Sequence, residues 1–203
     1  ITVTGVDDSI IDGTTTSTIT IAVDDANSDD DFDAVTDQTL SVDTTDDDVA
    51  GFTIEETEGA TEVDESGSTD TFTIVLDAQP TNDVVVLATA SNDETEAIVS
   101  GSITFTSENW DTPQTVTVTG VDDDLVDGDQ TYDITISIVD TISDDDFDGV
   151  ADQSVSSTTL DDDAPGFTIE ETDAATEVDE SGSTDTFTVV LDAQPTSDVV
   201  LTI

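Results

Sequence analysis

The chain has 203 residues, 52 of them acidic and none lysine, arginine, histidine or cysteine, for a formal net charge of -52. This excludes internal salt bridges, Lys–Asn isopeptide cross-links and disulfides, and it leaves no cationic group to neutralise phosphate, so no nucleic-acid partner is expected. The commonest general bases, thiol nucleophiles and oxyanion-binding cations are missing too, and the chain is expected not to be an enzyme.

High charge with few aromatics usually accompanies disorder, but the patterning along the chain opposes it. In chain order, "DTFTIVLD" (70–77), "SITFT" (102–106), "QTVTVTGV" (114–121) and "TYDITISIV" (131–139) alternate β-branched or aromatic residues with small polar ones. Half-buried strands have this period of two. Pro80 marks a turn after the first of these runs, as Pro195 does later. Clusters of Asp, Asn, Gly and Ser separate the runs, no helical period stands out, and no apolar run is long enough to cross a membrane. The expected class is all-β, with positive charge recruited from solution.

The chain repeats itself. "GVDDSIIDG" (5–13) returns as "GVDDDLVDG" (120–128), "SDDDFDAVTDQ" (28–38) as "SDDDFDGVADQ" (143–153), and "GFTIEET" (51–57) at 166–172, all at an offset of 115 residues. About two-thirds of the overlapping positions are identical. The boundary falls before "GFTI", after Asp46–Asp48 and Asp161–Asp163. The chain is thus expected to hold the C-terminal part of one repeat (1–50), one complete repeat (51–165) and the N-terminal part of a third (166–203). A longer array is the expected setting; a subunit that completes its neighbour by donating strands is the alternative.

Three stretches of the complete repeat follow one another in a recognisable order: "TEVDESGSTDTFTIVLDAQPTNDVVV" (61–86), "ITFTSENWDTPQTVTVTGVDDDLVDGD" (103–129) and the closing "DDD" (161–163). In this order the repeat resembles the Calx-beta family. The resemblance implies a tandem array of immunoglobulin-like sandwiches, each of about seven strands and binding Ca²⁺ at one pole. The ligands it implies are Glu65, Asp93 in the middle loop, Asp122, Asp123, Asp124 and Asp127, and Asp161, Asp162 and Asp163. Their counterparts in the partial repeats are Asp7, Asp8, Asp12, Asp46, Asp47, Asp48 and Glu180.

Residue chemistry agrees with that ion. Ca²⁺ takes six to eight oxygens in irregular geometry, whereas zinc, copper and iron sites draw on His and Cys, which are absent, and Mg²⁺ dehydrates reluctantly. Asp144, Asp146, Asp148, Gly149 and Asp152 stand at positions 1, 3, 5, 6 and 9 of an EF-hand-like spacing, repeated by Asp29, Asp31, Asp33 and Asp37. Val155 replaces the bidentate Glu, and Ala34 replaces the glycine in the first copy. This stretch is either a cation loop or a solvated acidic hairpin.

In a seven-strand sandwich the 143–152 loop lies at the pole opposite Glu65 and is expected to approach Asp46–Asp48 of the preceding repeat, forming an ionic joint. Glu94, Glu96 and Glu108 are assigned to a solvated surface, Trp110 to an edge-of-core plug, and Tyr132 to a tyrosine corner whose counterpart is Ser17. The leading function is a structural stalk or filament outside the cell, where millimolar calcium fills weak carboxylate sites. Its partners would be neighbouring repeats of the same chain, or identical chains. The alternatives are a module that binds a glycan or protein, and a Ca²⁺ sensor or buffer.

Overall fold

The computed structural model describes residues 1–91 and 95–203. Thirteen strands and several short 3-10 turns make up its regular structure, and no α-helix occurs among the described residues. In the complete repeat the strands are β3 (Phe52–Glu56), β4 (Thr61–Asp64), β5 (Thr69–Leu76), β6 (Val84–Ala90), β7 (Ala97–Val99), β8 (Ser102–Phe105), β9 (Gln114–Gly120), β10 (Gln130–Ile138) and β11 (Gln153–Leu160). The four runs of alternating residues correspond to β5, β8, β9 and β10.

They form two sheets, one ordered β3-β5-β9-β7 and the other β4-β11-β10-β6-β8. These nine segments are seven passes of chain, because two passes change sheet midway. β3 and β4 are one pass, broken where Glu58 (φ 62°) and Gly59 (φ 80°) enter the left-handed region. β7 and β8 are another, broken at Gly101 (φ 83°). The result is the immunoglobulin-like sandwich, with the first pass shared between sheets.

Alternation fixes the core. Phe72, Ile74 and Leu76 of β5 and Val116 and Val118 of β9 face Val84, Val86, Ile134 and Ile136 of the other sheet, all fully or almost fully buried. On the outer face of the first sheet the same register sets Thr69, Thr71 and Thr73 opposite Thr119, Thr117 and Thr115. Trp110 packs against the core edge, and its carbonyl accepts from the Leu76 amide at 3.1 Å. Tyr132 is buried in β10, with its hydroxyl held by Ser157 and Thr159 of β11.

The flanking segments repeat pieces of this plan. β1 (Thr15–Ile21) pairs with β2 (Gln38–Thr44) as β10 does with β11, and β12 (Phe167–Glu171) pairs with β13 (Phe187–Leu191) as β3 does with β5. Their apolar faces are open. Phe167 and Phe187 are 52% and 45% exposed, whereas the equivalent Phe52 and Phe72 are 3% and 0%.

Candidate metal centre

At one pole the chain is folded so that carboxylates converge. β4 runs parallel to β11, with Asp64 opposite Leu160, and the Glu65 amide donates to the Leu160 carbonyl at 3.1 Å. Asp161, the next residue after β11, therefore starts beside Glu65. Asp64 accepts from the Ser66 amide at 2.9 Å and closes the tight turn that ends β4. Gly120 fits against that turn because it has no side chain: a Cβ there would stand 2.1 Å from the Asp64 carbonyl oxygen. This close approach delivers the 121–127 loop to Glu65.

The loop is pinned from several sides. The Val121 amide donates to the Glu96 carbonyl at 2.9 Å, and the Thr159 hydroxyl donates to the same oxygen at 3.2 Å. Asp161 accepts from the Gly128 amide at 2.6 Å and the Asp163 amide at 2.8 Å, and Asp123 accepts from the Leu125 amide at 2.6 Å. Carboxylates thus shape the loop and leave other oxygens facing inward.

Glu65, Asp161 and Asp163 each offer an oxygen within 4.8 Å of the others. Glu65 is only 1% exposed. One oxygen each of Glu65, Glu96 and Asp163 is buried without a hydrogen-bond partner. Burial first, then the charges of Asp123, Asp161, Glu96 and Asp127, push the Glu65 carboxyl up to about 7. Glu96 is raised by burial and by Asp127 and Asp123; Asp163 by burial and by Asp124, Asp162, Asp161 and Asp122. Buried carboxylate oxygens with no donor, in a protein with no cationic side chain, fit a hard cation.

Glu96 corrects the sequence reading. It is half-buried and faces Asp123 and Asp127, because its carbonyl ties Val121 and Thr159 together and carries the side chain into the pole. Asp122, Asp124 and Asp162 are exposed, and their charges bear on Asp163. Asp93 and Glu94 lie outside the described residues. Glu108 is exposed, as expected.

The first repeat keeps half of this frame. Asp46 accepts from the amides of Asp12, Gly13 and Asp48, and Asp8 accepts from Ile10. Asp48 is raised by burial, then by Asp46, Asp47, Asp7 and Asp8. In the third, Glu180 is exposed.

At the opposite pole the 143–152 stretch forms a capped turn. Asp144 is 3% exposed, and its Oδ2 accepts from the Thr81 amide (2.7 Å), the Thr81 hydroxyl (2.8 Å) and the Asn82 amide (2.7 Å). Its Oδ1 accepts from the Asp146 amide at 3.1 Å, capping the short 3-10 turn Asp145–Phe147. Burial alone would raise this carboxyl, but the hydrogen bonds from Asn82, Thr81 and Asp146 outweigh it and hold it below the usual range. Phe147, 1% exposed, plugs the end of the core.

The acidic spacing thus serves a capped turn, and Asp146, Asp148 and Asp152 are exposed. Gly149 has no positive φ, so Ala34 replaces it in the first copy without strain. There Asp29 caps Asp30–Phe32 in the same way, and Asp31, Asp33 and Asp37 are exposed. Asp148 is raised by burial, Asp140, Asp145 and Asp144, all of its own repeat. Asp48 is likewise raised by burial and by Asp46, Asp47, Asp7 and Asp8, all of its own repeat.

No family model matches the chain, and no curated protein matches it. Solved structures similar to it include the apo form of the Calx CBD1 domain, at 16% identity over 55% of this chain and 98% of that one, with a TM-score of 0.37. CBD12 from CALX1.2 is similar at 17% identity over 63% of this chain and 51% of that one, TM-score 0.38. Domains 4 and 5 of the S-layer protein SbsC are similar at 20% identity over 61% of this chain and 63% of that one, TM-score 0.35. The chain spans less than two thirds of the length of the last two.

Proposed function

We propose that each complete repeat binds Ca²⁺ at the Glu65 pole and that the protein is a structural stalk or filament outside the cell, built of such repeats in tandem. The observation that carries this reading is the set of donorless buried oxygens on Glu65, Glu96 and Asp163 in a chain with no cation of its own. The half-buried Asp161 and Asp123 and the exposed Asp127 add their charge at the same pole. Sites built from carboxylates on loops have dissociation constants of about 10⁻⁴–10⁻³ M in extracellular modules, which calcium outside cells fills. No soft ligand competes for another metal.

A cation that binds only the folded state stabilises it by mass action: a hundredfold excess over Kd contributes about 2.7 kcal/mol per site, or ~10 °C in Tm for a domain of this size. Thermal unfolding in EDTA and then in millimolar Ca²⁺ should show that rise in the wild type, and Glu65→Gln should abolish most of it. An equal response in the variant would remove Glu65 from the site; no response in either protein would leave the acids as a solvated surface.

A variant of the stalk is one in which a second copy of the chain exchanges strands with the first. Light scattering tests it: a concentration-dependent series of end-to-end oligomers supports strand exchange, and a monomer at all concentrations opposes it.

A further inference from the structure

The contact between repeats is made by apolar and backbone groups, and it occurs twice. At the first joint, Ile10 forms a parallel bridge with Gln79, and the Gln79 amide donates to the Ser9 carbonyl at 2.7 Å. At the second, Leu125 bridges to Gln194, whose amide donates to the Asp124 carbonyl at 2.5 Å. Both partners are displaced by 115 residues between the joints, so the same hook grips the same turn. Beside each bridge an aliphatic residue points at the next repeat. Ile11 packs against the core of the complete repeat. Val126, its counterpart, lines a cavity with Pro165, Phe167, Leu191 and Pro195.

The gripped turn is built to hold its shape. The Gln79 side chain donates to the Ser107 carbonyl at 2.8 Å, the Asp77 amide donates to the Gly51 carbonyl at 3.0 Å, and Asp144 fastens Thr81 and Asn82. Pro80 is buried. The linker adds to the grip, since Ala50 packs on the same core and Gly51 leaves room for Asp77. The hook accepts from the turn's glutamine amide through a backbone carbonyl, and an aliphatic side chain stands beside that bond.

We infer that the hook Ser9–Ile11, repeated as Asp124–Val126, is a latch whose partner is the Ala78–Pro80 turn of the following repeat, and that it couples successive repeats without any metal ion. A half-buried aliphatic side chain supplies its strength and the bridge supplies its register. The hook lies on the loop that carries Asp123 and Asp127, and Asp123 accepts from the Leu125 amide at 2.6 Å, so the latch is told apart from the calcium reading by testing it in EDTA.

Hydrogen exchange of the whole chain in EDTA reads it directly, through the Gln79 and Gln194 amides. Both are expected to be protected in the wild type without metal. Ile11→Asp should lower protection of Gln79 by roughly tenfold or more, as local opening at the joint does, while leaving Gln194 and the core amides of Ile134 and Ile136 unchanged; Ile11→Leu should restore it. Val126→Asp should act on Gln194 and spare Gln79. Protection that appears only when Ca²⁺ is added would overturn the metal-independent latch, as would an Ile11→Asp protein whose Gln79 exchanges like the wild type.

Discussion

Glu65 carries an unfavourable charge whose cost depends on pH. Its carboxyl lies near 7 in the folded chain, against 4.5 ordinarily. Between those values the folded state holds more protons than the unfolded state, so metal-free stability falls as pH rises from about 4.5 through about 7. Glu96 and Asp163 are raised and act in the same sense, whereas Asp144 and Asp64 are lowered and lose their contribution only as pH falls below 3.8. Melting curves in EDTA should therefore show Tm decreasing from pH 5 to pH 8, and Glu65→Gln should flatten that slope and raise Tm at pH 8. A slope unchanged by the substitution would assign the effect to diffuse repulsion. Glu65, Asp123, Asp127, Asp161 and Asp163 were expected here from the Calx-beta resemblance, and the fold brings oxygens of Glu65, Asp161 and Asp163 within 4.8 Å of one another. Glu96 was not expected here, because alternation groups it with exposed Ile98, and only the distant amide of Val121 and hydroxyl of Thr159 draw it inward.

Among the elements, the 143–152 loop shows how one spacing serves two chemistries. Asp at alternate positions suits a cation loop, and it suits equally an aspartate that caps a 3-10 turn while a phenylalanine three residues on enters the core. What decides is the partner strand connection: the amides of Thr81 and Asn82 already fill Asp144, and no local signal announces them from some sixty residues away. Asp144→Asn keeps an acceptor but weakens charge-assisted bonds in a buried place, and about 1–3 kcal/mol of stability should be lost. Phe147→Ala should cost about 3–5 kcal/mol through the cavity it leaves. Urea denaturation measures both, and the Ca²⁺-induced rise in midpoint should persist in each variant; its loss in Asp144→Asn would return this loop to the ligands. The sheet-changing breaks at Gly59 and Gly101 were hidden for a related reason. A glycine marks a permissive backbone, while the choice of sheet on either side rests on pairing with β5, β11, β6 and β9.

Across the whole molecule, the proposed function predicts two separate responses to ions. The diffuse term is repulsion among 52 carboxylates with no compensating cation, and any salt screens it, since the screening length falls from about 10 Å at 0.1 M to about 3 Å at 1 M. The local term would be the proposed occupancy of the Glu65 pole by Ca²⁺, which screening should weaken because the acids that would attract the ion are themselves part of the field. Raising NaCl from 0.1 to 1 M in EDTA should therefore raise Tm in wild type and Glu65→Gln alike. The further rise on adding millimolar Ca²⁺ should be large in wild type at low salt, smaller at high salt, and nearly absent in Glu65→Gln. If NaCl at matched ionic strength reproduced the whole Ca²⁺ effect, the pole would be one more stretch of screened surface, and the latch between Ile11 and the Gln79 turn would be left as the device that holds successive repeats in line.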